Sequence, residues 1–212
     1  MDYTFVMTLD YHHRELRNSL LESGRRLLLA DGYAQFSLRK LAASLGVSHN
    51  APYRHFASRE ELIVAIVRKD ADRFHAALAA GVSGVDEPEE RLYRLGEAYI
   101  FFFLDNPEVL LLFETLPGQV ALNGAAIASL FIPPCHDRGA IEDKGRSEDG
   151  YRLLEDAVKP FSARFPLLSD EEIVLGYWAK VHGLASLLVS QRDLLATRSI
   201  KERVKVLVRT PF

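Results

Sequence analysis

The stretch Ser37–Phe56, SLRKLAASLGVSHNAPYRHF, constrains the fold of this chain more than any other. It sets two helix-capping serines, Ser37 and Ser48, on either side of a glycine, so the helices it can form are short. Ser37 caps a helix over Leu38–Ser44, Gly46 breaks it, and Ser48 opens a second helix running to about His55. Ala42 has a side chain small enough to let the two helices cross closely, and Val47 plugs the space between them. Two short helices joined through Leu45-Gly46-Val47 form a helix-turn-helix, whose second helix can lie in the major groove of DNA. Ser48, His49 and Asn50 stand at the start of that helix, where hydroxyl, imidazole and amide groups can hydrogen-bond base edges. Phosphate contacts fall to the surroundings: Ser37, Arg39 and Lys40 on the first helix, Tyr53 and His55 at the end of the second, and Arg59 at the start of the next. The N-terminal amides of that next helix add a further anion site. Such contacts set affinity and register and carry no sequence information.

Charge supports a polyanion partner once it is resolved along the chain. The whole carries −3 at pH 7, but His12–Lys69 holds ten Lys/Arg against five Asp/Glu, so that segment is +5 and the remainder −8. A basic N-terminal unit on an acidic body is the split expected when one end meets nucleic acid. Other classes find less support. With one cysteine, Cys135, no intrachain disulfide can form. No stretch approaches the roughly 20 apolar residues of a bilayer span, and Met1–Leu20 lacks the basic start and apolar core of a signal peptide. The expected location is the cytoplasm. An enzyme is the main alternative, yet no nucleotide loop, nucleophile motif or His-Glu-x-x-His is present. The histidines and Cys135-His136 lack metal-ligand spacing, so neither metal nor cofactor is expected. A plain protein-interaction helical module would leave the basic segment unexplained.

The pattern is helical nearly throughout, which predicts an all-α chain: a three-helix DNA-binding domain over 10–57 and a larger helical ligand-binding and dimerisation domain over 58–212. Leu16, Leu20, Ser23, Leu27 and Ala30 mark the inner face of a first helix ending at Asp31-Gly32. Ser58-Arg-Glu-Glu61 is a capping box opening a helix to about Ala80, with Leu62, Ile63, Ile66, Val67, Phe74 and Leu78 as its apolar stripe. Helices follow over about 89–105, from Pro107 to about 116, over 151–165, over 169–191 behind a second capping box at Ser169, and over 200–208. Between 116 and 150 a helix fragment near Val120–Leu130 and then a loop are expected.

Several motifs in this order resemble the DNA-binding domain of the TetR family of regulators. They are Gly32 with Ser37, Gly46-Val47-Ser48, Tyr53-Arg54-His55-Phe56 and Ser58-Arg59-Glu60-Glu61-Leu62. Arg59 replaces the family's usual lysine, and Pro52 stands where a leucine, valine or isoleucine is usual. The resemblance implies Phe56 in the domain core, Tyr53 and Arg59 on phosphate, a homodimer, and repression relieved by a small-molecule effector. A second match, Trp178-Ala-Lys-Val-His182-Gly183, is similar to a signature of one subgroup of the family's C-terminal domains. It implies that the helices near 169–191 and 200–208 form the dimer interface. Pocket candidates are Tyr99, Phe102, Phe103, Leu110 and Phe113 on one side and Phe161, Trp178 and His182 on the other. That lining favours an apolar or aromatic effector.

Overall fold

The computed structural model describes residues 3–115, 150–191 and 200–210. Among the described residues all regular structure is helical: α1 (Tyr3–Gln35), α2 (Leu38–Ser44), a 3₁₀ turn (Pro52–Arg54), α3 (Arg59–Val82), α4 (Pro88–Asp105), α5 (Pro107–Thr115), α6 (Gly150–Val158), a 3₁₀ segment (Lys159–Arg164), α7 (Asp170–Ser190) and α8 (Ile200–Arg209). The expected helix near Val120–Leu130, the loop after it and Cys135-His136 lie outside the described residues.

Two compact units emerge, Met1–Asp70 with Leu112–Ala125, and Ala71–Leu111 with Ala126–Phe212. The division falls inside α3 rather than at its start.

In the first unit α1 bends at Gly32, whose φ of 74° ends the regular helix where Asp31-Gly32 suggested. Its inner face is Leu20, Leu21, Gly24 and Leu28, rotated from the expected one; Leu16, Ser23 and Leu27 are half-buried and Ala30 is exposed. The centre of that face is Gly24. A Cβ there would come within 3.0 Å of Ile66 and 3.4 Å of Leu41, so the missing side chain seats α3 and α2 closely on α1. Asp70, 1% exposed, binds the Arg25 guanidinium through both oxygens at 2.9 and 2.8 Å and fixes the same crossing. The predicted stripe of α3 is buried in this unit at Leu62, Ile63, Ile66 and Val67, and in the second at Phe74 and Leu78. Ser58 accepts from the amide of Glu61, and Glu61 reaches back to the amide of Ala57, one residue earlier than in a standard capping box.

In the second unit α4 is the central element. Glu87 caps it by accepting from the amides of Glu89 and Glu90. Gly96, buried in its middle, allows α7 and α8 to approach: a Cβ there would lie 2.5 Å from the Tyr177 hydroxyl and 3.0 Å from both Val181 and Val208. Phe74 meets Tyr99 and Phe102 edge to face and packs on Phe103, with ring centres 5.1–5.3 Å apart. The helix expected over 151–165 ends as α-helix at Val158, because Pro160 cannot donate the next ladder bond, and continues as a 3₁₀ segment. Ser169 makes the expected capping box with Glu172. α7 has the length and mean apolarity of a membrane span by composition only, a test that core helices also pass.

Candidate nucleic-acid interface

The reading element differs from the expected α-helix. Ser48–Ala51 is a turn closed by Ala51 N–H to the Ser48 carbonyl at 2.9 Å, and Pro52–Arg54 continues as one turn of 3₁₀ helix. In an α-helix capped by Ser48, the amide of residue 52 would donate to the Ser48 carbonyl. Proline has no such amide, and its ring would strike that carbonyl. The backbone therefore tightens to i→i+3 bonds: Arg54 donates to Ala51 at 3.2 Å and His55 to Pro52 at 3.0 Å. The turn before it is as predicted. Ser37 accepts from the Lys40 amide, Gly46 takes φ 67°, and the Val47 amide closes on the Ala42 carbonyl at 3.1 Å.

This backbone holds Ser48, His49 and Asn50 together on one exposed turn. Tyr53 is 56% exposed, Arg39, Lys40 and Arg54 are also exposed, and Ser37 and His55 are half-buried. Lys40 is paired with Asp31 at 2.5 Å, which restrains its ammonium without hiding it. Arg54, an exposed basic side chain inside Tyr-x-His-Phe, joins this set by position alone. Phe56, 2% exposed, anchors the element in the core, with the Arg17 guanidinium 5.1 Å from its ring centre.

Arg59 is engaged by the turn after α1. Its Nε donates to the Phe36 carbonyl at 2.9 Å, a terminal nitrogen donates to the Tyr33 carbonyl, and the guanidinium lies over the Tyr33 ring at 4.3 Å. It ties the start of α3 to the turn after α1.

The eight pocket candidates are spread over α4, α5, the 3₁₀ segment and α7. Tyr99, Phe102 and Phe103 interlock with Phe74 in the core, and Leu110 is buried. Phe113 is half-buried on α5. Trp178 and His182 share a helix face as expected, stacked at 5.0 Å and 19°, and the Tyr99 hydroxyl meets His182 Nδ1 at 2.9 Å. Trp178 Nε1 is buried with no hydrogen-bond partner among the described residues. Phe161 alone of the eight borders a cleft of about 370 Å³ between α4, α6, α7 and α8. Among the described residues no group of three His, Cys, Asp or Glu side chains is placed to hold a metal ion.

A glycine turn between a capped short helix and an exposed polar turn, in a basic unit, defines a helix-turn-helix protein. Residues 20–66 match the model of "Bacterial regulatory proteins, tetR family". It is 35% identical over 63 residues to the HTH-type transcriptional repressor AcnR of Corynebacterium diphtheriae, covering 30% of this chain and 33% of the relative. The chain spans between 23% and 57% of the length of the curated relatives it matches. A solved protein of unknown function from Rhodococcus sp. RHA1 is 27% identical, with 91% of each chain covered and a TM-score of 0.63. PfmR of Thermus thermophilus, a TetR family regulator, shares the fold at 18% identity, with 89% of this chain and 94% of that one covered and a TM-score of 0.60.

Proposed function

We propose that this chain is a cytoplasmic, non-enzymatic transcriptional regulator that binds a palindromic operator as a homodimer. We further propose that it acts as a repressor released by a small, largely apolar or aromatic effector. The observation that carries the reading is the exposed turn Ser48-His49-Asn50, held by Gly46 and Phe56 inside the segment that matches the family model. In this reading those three side chains contact base edges. Ser37, Arg39, Lys40, Tyr53, Arg54 and His55 contact phosphate, and Arg59 serves chiefly by fixing the turn behind them. The repressor-named relative supports the sign of regulation.

Exposed apolar residues favour the dimer. Leu175 and Leu187 on α7 and Val206 on α8 are 44%, 58% and 65% exposed, a pattern that a second copy on the 169–191 and 200–208 helices would cover. The effector would act by population shift, binding better to a conformation with different spacing of the two reading turns. Reciprocal linkage then weakens the DNA complex. α3 is the proposed lever.

Selection of duplexes from a random pool with the purified protein, followed by salt titration of the best, tests the reading. A recovered palindrome bound with a steep negative salt slope is the expected result. Absence of enrichment at low salt, both before and after refolding to strip any copurified ligand, would sink it.

A further inference from the structure

The cleft beside Phe161 lies apart from the aromatic cluster that the sequence singled out. Its floor is hydrocarbon: Leu92 from α4, Val158 and Phe161 from α6 and the 3₁₀ segment, Ile173 and Tyr177 from α7, and Val208 from α8. The one polar group in that floor is directed elsewhere, since the Tyr177 hydroxyl donates to the Leu92 carbonyl at 2.7 Å. Burial drives its phenol pKa far up, so it stays neutral. A volume of about 370 Å³ falls within the range of small-ligand sites, roughly 300–1,000 Å³.

The rim is charged, and its groups are unequally engaged. Arg209 is held by both oxygens of Glu90 at 2.9 Å and by Glu97. The Glu172 carboxylate accepts from the Ser169 amide at 2.7 Å. Lys180 donates to the Val208 and Thr210 carbonyls at 2.9 and 2.6 Å, and burial lowers its pKa. Glu89 takes the Tyr93 hydroxyl at 2.8 Å. That leaves Arg164, whose side chain is 62% exposed. Its guanidinium lies 5.0 Å from the centre of the Phe161 ring, and the Glu89 carboxylate is 3.7 Å away, too far for a good hydrogen bond. An apolar floor ending at a loosely engaged guanidinium matches a molecule with a hydrocarbon body and one anionic end.

We infer that this cleft is a binding site for an amphipathic monocarboxylate, with its tail on the Leu92–Val158–Ile173–Val208 floor and its carboxylate on Arg164. The site is independent of the DNA-binding reading, and its test reads ligand binding alone.

The experiment is calorimetric titration of the full chain with octanoate and with octanamide, its neutral counterpart. Octanoate binds the unaltered protein, and octanamide binds roughly tenfold more weakly for want of the charge-assisted bond. Arg164→Gln brings octanoate down to the octanamide level and leaves octanamide unchanged. Gly176→Leu fills the cleft: a Cβ at Gly176 meets nothing within 4 Å, and leucine is the better helix former, so the variant keeps its thermal midpoint while losing both ligands. No octanoate binding at millimolar concentration would overturn the inference, as would equal affinity for the two probes. Unaltered binding in Gly176→Leu would overturn it too, since the ligand would then lie elsewhere.

Discussion

Tyr53 and Phe56 lie on the same short segment and have opposite fates, one 56% and the other 2% exposed. Phe56→Ala removes a fully buried ring and should cost about 3–5 kcal/mol, read as a lower urea midpoint. Tyr53→Ala should leave the unfolding free energy within about 0.5 kcal/mol while weakening binding to the selected duplex. Equal loss of stability in both would refute a surface role for Tyr53. Gly96 is decided by two opposed magnitudes. Alanine gains about 1 kcal/mol of helix propensity there, but overpacking costs about 1–3 kcal/mol. The clash should win, because the nearest atom, the Tyr177 hydroxyl, is itself tethered to the Leu92 carbonyl. The thermal midpoint of Gly96→Ala is therefore expected to fall; a rise would show that Tyr177 moves aside freely.

Elements whose signals are local were legible in the sequence. The caps at Ser37 and Ser169 need only a side chain and an amide three residues on, and both form. α2 was placed to the residue, and the apolar stripe of α3 was complete. What failed depends on partners distant in sequence. The inner face of α1 turns on Gly24 against Ile66, which no periodicity within α1 announces. The contacts of Arg59 with Tyr33 and Phe36 join two elements and could not be read from local pattern either. The packing of Tyr99, Phe102 and Phe103 around Phe74 joins α4 to α3, a contact that no pattern within α4 announces. Pro52 replaces a residue type usual in the family, and its effect reaches the whole Ser48–Arg54 segment. Pro52→Leu restores an amide that can reach the Ser48 carbonyl. The variant should gain protection at that amide in hydrogen exchange and select a different duplex from the random pool. An unchanged exchange pattern and an unchanged selected sequence would show that the turn has another cause.

For the molecule as a whole, acid stability should report on Glu90. Its carboxyl is held below the ordinary glutamate pKa first by the hydrogen bond from Arg94 and next by that from Arg209. A folded pKa below the unfolded one contributes stability that is present above the unfolded value, about 4.3, and is lost as pH falls through the folded value. Thermal midpoints measured downward from pH 5 should therefore drop, and Glu90→Gln should flatten that fall; parallel curves would exclude Glu90 as its source. A last consequence concerns exchange of parts. The division between the two compact units lies within α3, at Asp70 and Ala71. A graft of this N-terminal unit onto a foreign body must therefore be spliced inside a continuous helix. Each residue gained or lost at the seam swings everything downstream by about 100° around the helix axis and shifts it about 1.5 Å along it. Such hybrids should work in a sawtooth, recovering with each whole turn of helix added and failing between.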